Sequence, residues 1–319
     1  KAETSEGGVN VAGALAVNIV SSSIEAYIPT GIVIISGGKL TIKASSNTDA
    51  EAKADGSAVK ADKNSPAKVG VGVAVAINVA NTKTLAYIES GATVTAGGLY
   101  IAAIMTELPA EESGSDPDVT NEYTAEAVSG AGSGKIGVAG SVALNIVNSE
   151  TAAYTASSVT IIPVAEAGDV SIIAASAYKS TSTAGTSVKM EEDEAQVGVG
   201  ASFASNIINT KVLAYLANNV NLTGAANLII DSDLASEVET TATAGADPIE
   251  DLSSTDSGSE AKIGLDAAVA LSIVNNENRA YIGSGCNVDT SGNVEIKADS
   301  KSTTDTTAEG NSSGSKVAV

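Results

Sequence analysis

A twenty-residue segment of alternating large and small side chains occurs five times in this chain, and that recurrence restricts the fold more than any other feature. The second copy, VGVGVAVAINVANTKTLAYI, runs from Val69 to Ile88. Every copy carries an Ala-Tyr pair near its end, at Tyr27, Tyr87, Tyr154, Tyr215 and Tyr281. The steps between these tyrosines are 60, 67, 61 and 66 residues. Internal periods of this order mark repeat architectures, in which one unit cannot bury its apolar face alone.

Aligned on the tyrosine, the copies fall into columns. Eighteen residues upstream stand Val9, Val69, Ile136, Val197 and Ile263, and twelve upstream stand Leu15, Val75, Val142, Phe203 and Val269. Eight upstream stand Ile19, Val79, Ile146, Ile207 and Ile273. Between the large columns lie small ones: eleven upstream is Ala in every copy, and nine upstream are Asn18, Asn78, Asn145, Asn206 and Ser272. A period of two is a strand period. A helix would scatter these large residues around its circumference, and β-branched side chains resist helix. The dozen apolar residues are also too few for a membrane-spanning helix, which needs about 20. Aromatic girdles and closely spaced strands, the marks of a membrane barrel, are missing from the pattern. We therefore expect no membrane insertion.

After each tyrosine the chain breaks into short strands separated by Gly, Ser or Asn, as in AYIESGATVTAGGLYIAA from Ala86 to Ala103. These residues tolerate turns. A third block, rich in Thr, Ala and acids, reads as a strand with one wet face, clearest where Ala alternates with charge from Asp49 to Asp55. Two long acidic loops are expected to lead back to the next repeat and to account for the longer steps. The whole reads as an all-β parallel solenoid, a right-handed β-helix, of five repeats at approximately 9–68, 69–135, 136–196, 197–262 and 263–316. It forms a single continuous array. The expected coil is one per repeat. Two competing arrangements fit the same pattern: three coils of about 20 residues per repeat, or long antiparallel hairpins stacked on one another. Stacking in register would let neighbouring repeats cover each other's valine rows. It would also let Asn18, Asn78, Asn145 and Asn206 form an amide ladder. Lys316–Val319 match Lys68–Val71 and Lys1 is no initiating residue, so the sequence reads as a segment of a longer array with open ends suited to end-to-end self-association.

The pattern GVGVAVAINVAN…AYI…GATVTAGG resembles the tandem repeats of very large secreted bacterial surface proteins, the filamentous-haemagglutinin-like and leukotoxin-type filamentous adhesins. The resemblance covers all five units. It implies secretion, a place on the bacterial cell surface and a stalk or adhesive role, with no catalytic residue to carry over.

Charge and composition exclude several functions. The net charge is −21 and Arg279 is the only arginine, so a phosphate backbone or an anionic membrane would repel the chain. We expect no nucleic-acid partner. With no His, a single Arg and no acid recurring in a strand column, the sequence points away from an enzyme.

Three sets of residues remain as candidates. The five tyrosines form either an exposed aromatic rail for a glycan or a host-surface ligand, or a half-buried ladder at a coil corner. Glu111, Glu112, Asp116 and Asp118 cluster in one long loop, and Asp247, Glu250, Asp251 and Asp256 in another. Hard oxygen ligands on such loops suit calcium, although neither loop follows a known calcium motif. Solvation alone also explains them, so the expected cofactor is none or calcium. Cys286 shares a column with Ile32, Ala92, Val159 and Val220 and is expected to be a buried, inert thiol. The Thr-rich strands drift out of column, which argues against a flat array for ice or mineral.

Overall fold

The computed structural model describes residues 8–58, 69–105, 121–133, 135–164, 168–190, 196–248, 262–311 and 317–318. The first coil holds β1 (Val9–Ile28), β2 (Val33–Ile35), β3 (Lys39–Ser45) and β4 (Ala50–Asp55). The second holds β5 (Val69–Ile88), β6 (Thr93–Ala96), β7 (Gly98–Met105) and β8 (Asn121–Ser133). The third holds β9 (Ile136–Thr155), β10 (Thr160–Pro163) and β11 (Val170–Met190), and the fourth β12 (Gln196–Leu216), β13 (Asn221–Ala225) and β14 (Leu228–Pro248). The fifth holds β15 (Lys262–Ile282), β16 (Asn287–Thr290) and β17 (Val294–Asn311), after which β18 (Val317–Ala318) starts the next turn.

Like sides stack on like sides. The long first strands form one sheet in the order β1-β5-β9-β12-β15-β18, the short second strands another, and the returning strands a third. Every strand pairing is parallel, and Tyr27, Tyr87, Tyr154, Tyr215 and Tyr281 are register partners in succession. One repeat is therefore one coil of an all-β parallel solenoid. The two alternatives fail on this register. Coils of about 20 residues would pair each long strand with its own repeat, and hairpins would pair antiparallel.

The cross-section is a wedge, and the inward residues of the long strands dictate it. Along β5 they run Gly70, Gly72, Ala74, Ala76, Asn78, Ala80, Thr82, Thr84, Ala86 and Ile88, all buried. At the thin end, Ala76, Ala143 and Ala204 pack against Ala125, Ala127, Ala184 and Ala242 of the returning sheet. A Cβ built on Gly72 would lie 2.2 Å from the Gly130 carbonyl oxygen, so only glycine permits that approach. At the thick end, next to the short sheet, Ile88, Val94, Ile101, Ile161, Leu216, Leu222 and Ile230 fill the core. Midway the interior turns polar, where Thr82, Ser149 and Thr151 point at the Met105 sulfur at 3.8, 3.3 and 3.8 Å.

Two expectations change. The large columns of the long strands face outward, on the far side from the core. Coils above and below narrow their exposure without removing it: Val73 in the second coil is still 45% exposed, and Leu15 in the first coil is 70% exposed. Stacking covers the flanks of these side chains and leaves their tips uncovered. The acidic segment 106–120 also sits elsewhere than expected. Met105 pairs with Ser176 and Asn121 with Tyr178, so β7 and β8 both lie on the returning side of the second coil. Residues 106–120 thus fall in sequence between two strands of one coil and not between two coils.

Candidate functional site

The outer surface of the long sheet carries the most regular chemistry in the molecule. Because the strand period is two and the register never slips, each outward position becomes a straight column up the solenoid. From the thin end of the wedge towards the short sheet, the columns read as an apolar block, an asparagine row, a charged row, a mixed row and the tyrosines.

The asparagine row is continuous. Asn148 Nδ2 donates to Asn81 Oδ1 at 2.9 Å, Asn209 to Asn148 at 3.0 Å, and Asn275 to Asn209 at 2.9 Å. The next outward row alternates in sign: Lys83 lies 3.6 Å from Glu150, and Lys211 lies 4.0 Å from Glu277. Between these rows runs a trough of about 700 Å³, lined by all five long strands from Ser21–Ser23 to Val274–Glu277. No residue of the other two sheets lines it, which places it on the outside of the coil with the backbone as its floor.

The five candidate tyrosines form one stack. Successive ring centroids lie 5.1, 5.0, 4.9 and 4.8 Å apart, and the planes differ by 8°, 2°, 4° and 5°. Arg279 caps the last ring, its guanidinium 5.0 Å from the Tyr281 centroid. Tyr27 is half exposed, and the inner rings are partly buried by their neighbours. The Tyr87 hydroxyl donates to Glu25 Oε2 at 3.1 Å. Desolvation by the stack, reinforced by that hydrogen bond and the Glu25 charge, pushes the Tyr87 phenol up to about 12. Desolvation also raises Tyr154, with Glu150 adding to it, and raises Tyr215, with the flanking Tyr154 and Tyr281 adding to it.

The inward asparagines behave differently from the outer row. Asn18 Nδ2 donates to Asn78 Oδ1 at 3.0 Å, and Asn78 Nδ2 to Asn145 Oδ1 at 2.9 Å. Above Asn145 the ladder passes through a hydroxyl: Asn145 donates to Ser180 Oγ at 2.8 Å, and Ser180 donates to Asn206 Oδ1 at 2.8 Å. Asn78, Asn145 and Asn206 each also donate to a backbone carbonyl of the returning side, at Ala50, Tyr123 and Glu239. They tie the two long sheets across the thin core. The outer row, the trough and the charged row escaped the sequence reading, although the column Asn81, Asn148, Asn209 and Asn275 is as regular as the inner one.

Of the calcium candidates, Glu111, Glu112, Asp116, Asp118, Glu250, Asp251 and Asp256 lie outside the described residues. Asp247 falls in β14, paired in register with Lys189. Among the described residues, no group of three or more acidic or cysteine side chains converges as a metal would require. Cys286 is half buried and its thiol donates to the Ala217 carbonyl at 2.9 Å.

No protein family matches the chain, and no curated protein or solved structure matches it either. No helix among the described residues is long and apolar enough to cross a membrane.

The geometry offers recognition more readily than bond chemistry. Amide pairs, alternating charges and ring edges repeat every 4.8–5.1 Å along the tyrosine stack. Such a lattice presents one hydrogen-bonding motif many times over to an extended ligand.

Proposed function

We propose that this chain is a non-catalytic structural stretch of a large secreted bacterial adhesin, a stalk whose job is reach and rigidity on the cell surface. The observation that carries the reading is the unbroken register of the five long strands, twenty paired positions between β1 and β5 alone. Each coil buries its neighbour's edge, stability accumulates along the axis, and the length grows by about 4.8 Å per coil. The likeness of its repeats to those of filamentous adhesins points the same way.

The test is location. Antibodies against the chain are expected to stain intact producing cells and to bind sheared extracellular filaments. Staining that appears only after permeabilisation overturns the reading.

The outer trough, with the tyrosine stack two columns further along the same face, supports a second reading, a glycan-binding module on the same solenoid. A glycan array probed with the wild-type chain and with Tyr87→Ala and Tyr154→Ala separates the two. Binding lost in the variants favours the module; no binding favours the bare stalk.

A further inference from the structure

The outward apolar block calls for an explanation that the stalk role does not supply. It covers six alternate columns, from Val9, Val69, Ile136, Val197 and Ile263 across to Ile19, Val79, Ile146, Ile207 and Ile273. Within those columns Ser205 is the only polar residue, and there is no ionisable group. The exposure is not confined to the first and last coils. Val142 in the third coil is 37% exposed, and Val73 in the second is 45% exposed.

The returning sheet supplies an internal comparison. Its outward positions on the same coils are Lys179, Thr181 and Thr183 on β11 and Glu237, Glu239 and Thr241 on β14. That is the wet face a solvated antiparallel or parallel sheet needs. The same chain thus makes one long face polar and the other apolar, coil after coil. On the apolar side the sequence even places the larger residue outside and Ala or Gly inside. Solubility works against this arrangement, and stacking along the axis does not require it.

We infer that the apolar face of the long sheet is a lateral pairing surface, and that its occupant is the same face of a second copy of this chain. Three observations favour this occupant. The first is area. Ten residues of strand by five strands span about 33 Å by about 24 Å, on the order of 800 Å² for each partner, which is the size of a standard stable interface. The second is relief. In the column between the ridges headed by Val11 and Leu15, Gly13, Gly140, Ala201 and Ala267 are small and Val73 stands out as a knob, so the ridges and the knob of one copy can seat over the small residues of another. Two such sheets pack about 10 Å apart with interdigitating side chains.

The third is charge. The chain carries −21, yet two copies meeting on this face bring no ionisable group into contact. The charged row beyond the asparagines, Lys83, Glu150, Lys211 and Glu277, alternates in sign, so it adds little net repulsion. An isologous contact of this kind closes at two copies and leaves both strand edges of each solenoid free. It is independent of where the protein resides, so the pairing and the stalk reading stand or fall separately.

The experiment is sedimentation equilibrium of the full chain from low to high micromolar concentration, with small-angle X-ray scattering on the same samples. The expected result is a monomer–dimer equilibrium that stops at two and strengthens as salt screens the residual repulsion. Scattering should show the cross-section thickening while the length stays constant, a readout that needs no variant. Val142→Lys with Leu144→Lys, checked for folding by circular dichroism, should weaken the dimer at least tenfold, and Glu237→Lys on the opposite face should leave it unchanged.

A strict monomer at the highest concentration overturns the inference. So does a dimer that survives the two lysines, or growth in length without thickening, which would mean end-to-end assembly. A monomer captured by phosphatidylcholine vesicles also overturns it, since the face would then serve a lipid surface.

Discussion

The Asn78 side-chain amide donates to Asn145 Oδ1 at 2.9 Å, across 67 residues of sequence, while the same nitrogen donates to the Ala50 carbonyl at 3.0 Å. One fully buried amide therefore joins two coils along the axis and two sheets across the core. Asn78→Ala would remove the side-chain donor to Asn145 Oδ1 and to the Ala50 carbonyl, and the acceptor of the Asn18 amide, in the thin interior. The expected loss is about 2–3 kcal/mol in urea denaturation, from orphaned buried polar groups. Asn148→Ala in the outer row leaves only groups that water can reach, and should change stability by less than about 0.5 kcal/mol. Equal effects at the two sites would contradict the inward role of Asn78.

The sidedness of the long strands makes a second, paired prediction. Ala76 is fully buried and faces the alanines of the returning sheet. Ala76→Leu overpacks a gap that has no slack, and should destabilise the fold by about 1–3 kcal/mol. Its neighbour Val75 points outward, so Val75→Leu should stay within about 0.5 kcal/mol of wild type. Thermal melts of the two variants check this, and the reverse order would invert the proposed inside and outside.

How much of this was legible depended on what kind of contrast the sequence carried. The strands and their register were readable because large and small residues alternate and the Ala-Tyr pair fixes the alignment. The side facing the core was harder to read. At Val75 and Ala76 the alternation is one of size and not of polarity, so hydrophobicity alone does not say which row is inside. The answer comes from the opposing sheet, whose alanines leave room only for alanine. Residues 106–120 have no period of their own, and only the pairing of Tyr178 with Asn121 shows that β8 belongs to the same returning side as β7. The outer row of Asn81, Asn148, Asn209 and Asn275 passed as ordinary surface polarity, since a column becomes a ladder only once register is known. The tyrosines were located as a column, but their face-to-face stacking required the 4.8–5.1 Å spacing of real coils.

The turn after each tyrosine makes a third prediction. Gly31, Gly91 and Gly285 adopt φ of 69°, 71° and 70°, while the same column in the third and fourth coils holds Ser158 at 61° and Asn219 at 59°. Left-handed backbone costs an ordinary L-residue about 1–2 kcal/mol, and asparagine somewhat less. A Cβ on Gly91 would meet nothing within 4 Å, so Gly91→Ala isolates the backbone term. It should destabilise by about 1 kcal/mol, and Ser158→Gly should stabilise by a similar amount or slightly less. Chemical denaturation of both variants tests the pair; stabilisation by Gly91→Ala would show that the turn does not hold its positive φ in solution.

The tyrosine stack sets the behaviour of the protein in alkali. A free phenol ionises near 10, whereas Tyr87 is pushed up to about 12, first by desolvation and then by Glu25. Between those two pH values the folded state keeps a proton that the unfolded state has lost, so stability must fall as pH rises through that window. Below pH 10 both states are protonated and the contribution of the stack is fully present. Tyr154 and Tyr215 are raised for the same first reason, burial among neighbouring rings, and so they add to the slope in the same direction. Glu25→Gln keeps a hydrogen-bond acceptor beside the Tyr87 hydroxyl but removes the negative charge, so tyrosinate should form at lower pH in that variant. Absorbance titration of tyrosinate and denaturation midpoints measured across the window give the two readouts. If Tyr87, Tyr154 and Tyr215 titrated together near 10, and stability stayed level from there to 12, these rings would be solvated singly and the ladder would not exist in solution.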